Sequence, residues 1–449
     1  MEKQKKLLGE EKISKLLWKL SAPAMVGMLV SALYNLVDTI FVGHGVGVVG
    51  IAGIAIVFPI SMIIMSLSMM FGIGGASIIS IRIGENKKEE AEKVLGNMVT
   101  LLFGLGIILT IVGLVFIEPI LLAFGATEGI LASALEYGKI IMAGNLFFSI
   151  SVAANSVIRS EGNAKMAMIT MLVGAIINII LDPIFIFVFD MGLAGAAWAT
   201  VISQFFSFVY VVYYFVSKKH SMLRIHLQNL KLKFYIVKET VALGISAFVR
   251  MAAGSAMSVV INHTLAIHGG DVAIATFGVV NRLLSFVFMP MFGIIQGMQP
   301  IVGFNYGAKN SQRVIDVIKL TLKITTIMSF VSFVVLFIFA EIFMKIFSTD
   351  LELIRMGSHA TRIIIIFLVT LGLQVVSSGM YQSMGRAWIS FIISSLRQII
   401  FLIPLVIILP IFFDLNGVWY AFPVADFLAF VVSWVLYKRE MVLIEKHLA

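Results

Sequence analysis

The chain has 449 residues, 60% of them hydrophobic and only 13% charged. Soluble domains are closer to half apolar and a quarter charged, so this composition excludes an ordinary soluble domain and belongs to a membrane protein. The excess of nine positive charges alternates along the chain and is no nucleic-acid signal, and the absence of cysteine excludes disulfides, thiolate metal sites and thiol redox chemistry.

A helix needs about 20 apolar residues to cross a bilayer. Twelve stretches qualify, approximately at 17–43, 51–81, 95–117, 137–158, 166–189, 193–216, 240–267, 272–303, 320–340, 357–383, 389–413 and 417–437. None alternates like a membrane β-strand, which leaves helices as the spanning structure. The opening "MEKQKKLLGEEKISKLLWKL" reads as an amphipathic segment lying on the membrane. The first apolar stretch lacks a small-residue cleavage site and is too long for a signal peptide, so it is kept as a helix. Midway, the basic stretch 218–239 reads as an interfacial helix linking an amino-terminal lobe, 1–217, to a carboxyl-terminal lobe, 240–449.

Twelve helices would place 26 of the 33 Lys and Arg on one side, together with both termini. The opposite loops carry Glu118, Glu128, Glu136, Asp190, Asp271 and Asp414. By the positive-inside rule both termini are cytoplasmic. The expected location is a membrane whose cytoplasmic face carries both termini.

A shift of 223 residues lines up the loops of the two halves. "GENKKEEAEKV" (84–94) falls on "GAKNSQRVIDV" (307–317), and "RSEGNAKMAMI" (159–169) on "QSMGRAWISFI" (382–392). Six helices per half give both halves the same orientation. The fold class is therefore an all-α integral membrane protein of two pseudo-symmetric six-helix lobes, a plan in which transporters hold substrate between the halves and rock them.

Charges inside the membrane cost about 2.5–3.5 kcal/mol on insertion scales and usually mark a pathway. Those read as lying inside the membrane and not at its surface are Asp38 and Asp182 in the first half, and Arg250, Arg282, Arg397 and Asp426 in the second. Asn35 precedes Asp38 by three residues and Asn178 precedes Asp182 by four, so each Asn–Asp pair shares a helix face. Two carboxylates in one dry site favour sharing a proton. With an amide and a hydroxyl their oxygens could instead hold a hard cation such as sodium. Tying helices together by hydrogen bonds is the structural alternative. At the 223 offset Asp38 falls on Ile261 and Asp182 on Leu405, so the carboxylates are one-sided. Pro23 and Pro183 each remove a backbone donor and kink or loosen their helices.

"LYNLVDTIFVG", "RSEGNAKMAM", "NIILDPIFIF", "GLAGAAWAT" and "NRLLSFVFMPMFGIIQGMQPIVGFNYGAKN" resemble the multidrug and toxic compound extrusion (MATE) family, particularly its bacterial multidrug-pump branch, and the similarity runs over essentially the whole chain. The resemblance implies export of amphipathic, often cationic compounds, with antibiotic resistance as the consequence, driven by inward flow of protons or sodium. It maps an amino-lobe cation site onto Asp38, Asn178, Asp182 and Thr200, with Tyr137 in the same network and Pro23 as the first-helix kink. These four, Asp38, Asn178, Asp182 and Thr200, are also the sodium candidates. The family's carboxyl-lobe sodium site needs acids in the seventh and tenth helices, which here are absent apart from Glu239 at the entrance of the seventh.

A polyspecific cavity should be apolar and adaptable with few polar groups. Its candidates are Phe286, Met289, Phe292, Gln296 and Gln299 in the eighth helix, with Asn155, Gln374 and Arg250. Met side chains suit re-packing around differing ligands. Arg250 does not suit a cavity for cations. Asp426 is expected to form a structural pair with Arg397 or, alternatively, to neutralise Arg250, and Glu161 is expected to pair with a neighbouring Arg or Lys. The rival reading of the arginines is a flippase or exporter of anionic lipid-linked or saccharide substrates. No GxxxxGK[ST] loop, metal-spaced His set or nucleophile–base constellation supports an enzyme, and no catalytic residue or cofactor is assigned. The expected partners are small organic substrates and membrane lipids, with the chain acting as a monomer.

Overall fold

The computed structural model describes residues 2–217 and 220–446. Ten helices among them are long and apolar enough to cross a membrane. They are α1 (Ile13–Gly45), α2 (Val48–Gly84), α3 (Lys88–Val115), α4 (Glu128–Ser160), α5 (Ala164–Pro183, continued by a π-helical turn at Ile184–Val188), α6 (Gly192–Val216), a 74-residue helix Phe234–Gly307, α9 (Ser311–Phe347), α11 (Ala387–Phe413) and α12 (Leu415–Lys446). The long one is two spans, because Gly270 has φ +64°, a left-handed value that stops a helix. It is written as α7 (234–269) and α8 (271–307). The pair Leu351–Ile364 and Leu368–Ser383, bent by 46°, supplies α10 and brings the count to the expected twelve.

The repeat holds to the residue. α2 ends at Gly84 and α8 at Gly307; α3 starts at Lys88 and α9 at Ser311; α4 ends at Ser160 and α10 at Ser383; α6 starts at Gly192 and α12 at Leu415, each pair 223 apart. The turns repeat as well. Gly47 and Gly270, Asn86 and Lys309, and Gly162 and Gly385 all have positive φ at the same offset. Turn geometry is thus duplicated even where the residue type is not, since Asn86 and Lys309 must both tolerate a conformation that L residues rarely adopt.

The lobes touch only in part. α2 and α7 cross with backbones in contact: a Cβ on Gly74 would lie 2.1 Å from the Thr240 carbonyl oxygen, and one on Gly244 would lie 1.8 Å from that of Met70. Lower down, Gly84 meets Phe304 and Gly307 meets Ile81 in the same way. On the other seam Gly293 and Gly297 of α8 pack on Met25 and Ser21 of α1. All these contacts fall in the basic half that carries the termini. One apolar cluster there joins both lobes, through Leu16, Leu20, Ile79, Met298, Ile301 and Met380 among others. Towards the acidic loops each lobe has a separate core. The molecule is therefore closed at the basic end, and its lobes keep separate cores at the acidic end.

Two expectations are corrected. The opening segment forms a helix, Glu2–Glu10, but it is docked on protein. Leu8 is fully buried, its carbonyl accepts from Asn305 Nδ2 at 3.1 Å, and Arg313 donates to the Glu11 carbonyl at 2.8 Å. The 218–239 linker is not a helix; apart from a 3₁₀ turn at Leu227–Leu230 it is irregular until Phe234, while Lys218 and Lys219 lie outside the described residues. Its backbone is held by side chains of the amino lobe instead. The Lys233 amide donates to Asn97 Oδ1 at 2.6 Å, Thr100 donates to the Leu230 carbonyl at 2.8 Å, and the Arg224 amide donates to Glu92 at 3.1 Å. Residues that meet backbone polar groups from outside remove the need for a helical ladder.

Candidate functional site

Asp38 and Asp182 come together. The first sits on α1 and the second on the last turn of α5, and their carboxyl groups lie within hydrogen-bonding reach of each other. Asn178, one turn before Asp182, donates from Nδ2 to Asp182 Oδ1 at 3.1 Å and reaches Thr200 Oγ1 of α6 at 3.5 Å. Pro183 closes α5 directly after the aspartate, and the chain widens there into the π-helical turn. A proline that cannot donate and a local π-turn are the backbone features expected beside a functional side chain. α1, by contrast, runs continuously through Pro23.

The site is rich in acceptors and poor in donors. Asp38 Oδ1, Asp182 Oδ2 and Asn178 Oδ1 are buried without a hydrogen-bond partner among the described residues, as is Gln204 Oε1 one turn beyond Thr200 on α6. Leaving a buried polar atom unpaired costs about 1–3 kcal/mol, more for a charged one. Three orphaned oxygens on two facing helices are the pattern that a proton or a small cation would satisfy, and the donor set of two carboxylates, an amide and a hydroxyl fits a hard cation. No cluster of three or more His, Asp or Glu with metal-binding geometry occurs among the described residues. Tyr137 is buried on α4 and, with Tyr34 on α1, stands within electrostatic range of both aspartates. Tyr34 was not singled out from sequence, although it lies one turn before Asp38. Asn35 does not join the cluster: it is exposed, and its amide donates to the Ser31 carbonyl at 2.7 Å.

None of the clustered polar positions has a polar counterpart in the second lobe. At the 223 offset Tyr34 meets Met257, Asp38 Ile261, Tyr137 Ala360, Asn178 Phe401, Asp182 Leu405 and Thr200 Pro423. The second lobe carries a different polar group. Arg397 of α11 donates to Asp426 of α12 at 2.5 Å, the expected pair, and Gln374 donates to the Asp426 carbonyl at 3.1 Å. Arg250, in the middle of α7, lies over the Phe292 ring at 5.7 Å.

The other cavity candidates are dispersed. Gln296 and Gln299 line a small cavity where the lobes meet, with Ser77, Ser80 and Arg159. Met289 and Phe292 are half-buried on α8, whereas Phe286 is exposed. Asn155 is buried and holds the Ala167 carbonyl at 2.7 Å and the Arg159 guanidinium, an internal fastening of the amino lobe. Glu161 corrects an expectation. No Arg or Lys pairs with it among the described residues; Ser221 donates to it at 2.7 Å, the Leu223 amide at 3.0 Å, and Tyr214 donates as well. Burial pushes its carboxyl up to about 7. Glu161 thus fastens the inter-lobe linker to the α4–α5 turn.

Two parallel six-helix repeats with ionisable side chains inside the membrane are the plan of a membrane transporter. The chain belongs to the MatE family, whose model matches residues 23–184 and 246–408, two segments that begin at the same 223-residue spacing. It is 28% identical over 424 residues to the multidrug export protein MepA of Staphylococcus aureus (strain MSSA476), covering 94% of this chain and 93% of that one. Among solved structures it is similar to the MATE multidrug transporter DinF-BH, solved as a complex, at 46% identity and a TM-score of 0.89 over 96% of both chains. It is also similar to an outward-facing multidrug resistance MATE family transporter of the MOP superfamily, at 26% identity and a TM-score of 0.91 over 98% of both chains.

Proposed function

We propose that the chain is a cation-coupled antiporter that exports amphipathic organic compounds, many of them cationic, by alternating access. The observation that carries this reading is the carboxyl pair of Asp38 and Asp182, unmatched in the second lobe. Coupling requires a group whose charge state alters the packing of one lobe, and a shared proton between two buried carboxyls is such a group. A proton is preferred to sodium because it needs no complete coordination shell. Loading the pair removes charge from the α1–α5 contact, lets α1 repack, and changes the face that the amino lobe offers to substrate. The relatives named as multidrug exporters support the substrate class. With the basic side cytoplasmic, the lobe contacts described above correspond to a molecule closed towards the cytoplasm, in a bacterial plasma membrane with both termini inside.

The test is dye efflux from proteoliposomes with proton and sodium gradients imposed separately. The expected result is efflux driven by an inward proton gradient alone. Efflux indifferent to both gradients would overturn the coupling. The alternative, a flippase for anionic lipid-linked or saccharide substrates, draws on Arg250 and would show no efflux of cationic dyes.

A further inference from the structure

Arg250 is the one membrane-embedded cation of the carboxyl lobe's interior whose charge no described residue balances. It lies 16 residues into α7, about 24 Å from the start of that helix at a rise of about 1.5 Å per residue. It has no acidic neighbour among the described residues. Asp426, buried on α12, is already engaged by Arg397 and, through its carbonyl, by Gln374. Among the described residues, Arg250's partner is an aromatic face, that of Phe292. A ring offsets only part of what placing a guanidinium at membrane depth costs.

The surroundings have the shape of a recognition site. Phe292 lies 6.3 Å from Phe288, and Phe288 receives the Arg397 guanidinium at 5.6 Å, so two guanidiniums bracket a pair of tilted rings. One turn beyond Arg250, Gly254 leaves room for Gln398, whose amide nitrogen would lie 3.9 Å from a Cβ at that position. Gln398 and Arg397 both lie in the π-helical turn Leu396–Leu402, which interrupts α11. Gln398 Oε1 is buried with no hydrogen-bond partner among the described residues. Arg250, Phe288, Phe292 and Arg397 are each only partly buried and keep some exposed surface.

We propose that this cluster is an anion subsite of the carboxyl lobe, which takes the carboxylate or sulfonate of a flat aromatic amphiphile. Arg250 binds the anionic group through its planar fork, and Phe288 and Phe292 take the ring system. The Arg397–Asp426 pair is neutral as a unit and holds the far ring. The assignment rests on the reading of this chain as an exporter of amphiphiles and extends it. The amino lobe offers carboxyls and the carboxyl lobe offers an unbalanced guanidinium, so the two halves favour opposite ligand charges.

The test uses the purified full-length chain in lipid nanodiscs, with pyrenebutanoate and its uncharged amide as paired fluorescent probes, and empty nanodiscs subtracted. Charge-assisted bidentate bonding predicts that the wild type holds the carboxylate about 10–100-fold tighter than the amide. Arg250→Gln should bring that ratio near one by weakening carboxylate binding alone, and Arg250→Lys should leave an intermediate ratio, a point charge lacking the fork. Phe292→Ala should weaken both probes together. A wild type without preference, or Arg250→Gln retaining the full ratio, overturns the proposal. If Arg250→Gln does not reach the membrane, Arg250→Met, which removes the buried charge altogether, reads the same ratio with the same two outcomes. Because binding is measured at equilibrium without an ion gradient, a failure of cation-coupled transport leaves this result standing, and the reverse.

Discussion

Substituting Gly244 by Ala tests whether the lobes really are held closed at the basic end by backbone contact. The added Cβ would lie 1.8 Å from the Met70 carbonyl oxygen and 2.6 Å from its carbon. Comfortable carbon contacts begin at about 3.5 Å, so α2 and α7 must part by more than an ångström. The obstacle is backbone, which no rotamer change relieves. Overpacking of this kind costs about 1–3 kcal/mol. It acts only on the conformation in which the two helices touch, so it shifts the ratio of closed to open molecules about 5–150-fold. The chain contains no cysteine, so Lys165→Cys and Trp388→Cys can be spin-labelled in an otherwise unmodified background. Both positions are exposed, start α5 and α11, and occupy equivalent places in the repeat. Gly244→Ala should move the inter-label distances towards longer values. Gly104→Ala, where a Cβ meets nothing within 4 Å, should leave them unchanged. Identical distance distributions in all three proteins would refute the closed contact as the element that sets the state.

Asp426→Asn should destabilise the protein by about 3–5 kcal/mol, because Arg397 is left as an uncompensated buried charge, while the double change Arg397→Met with Asp426→Leu should cost far less; thermal unfolding in detergent measures both. Glu161→Ala leaves the buried Tyr214 hydroxyl without its acceptor, about 1–3 kcal/mol, and leaves the Leu223 amide only Ser221, and should speed amide exchange in residues 221–224. The Glu161 carboxyl sits at about 7 when folded and nearer its ordinary 4.5 when unfolded. Between those values the folded state binds more protons, so stability falls as pH rises through that window and levels off above 7. Wild-type melting should show that slope and Glu161→Gln should lack it.

Much of the fold was legible because the membrane restricts it. Runs of apolar residues, basic loops on one side and a 223-residue repeat leave a single topology, and the structure keeps the repeat even at its positive-φ turns. Where the restriction ends, at the membrane surface, local pattern misled. Residues 220–233 of the basic stretch carry no helix beyond a single 3₁₀ turn because Asn97, Thr100, Glu92 and Glu161 bind their backbone from a distant part of the sequence. Glu161 was expected to find a cation, but the turn that buries it offers hydroxyls and an amide. Asp38, Asn178 and Asp182 stood out because polar groups in apolar runs are costly. Tyr34 and Gln204 did not, because an uncharged aromatic or amide inside a helix looks ordinary until the facing helix is in place. That Arg250 lacks an acid could not be read from sequence, since Asp426 was an available partner until Arg397 took it.

The most direct measurement is proton release on substrate binding, in weakly buffered detergent solution near neutral pH. Wild-type protein should release protons when a cationic dye is added, because substrate and proton compete for the state of the Asp38–Asp182 pair. Asp38→Asn and Asp182→Asn should each bind dye with no release. Release of wild-type size from both variants would contradict the assignment of coupling to this pair.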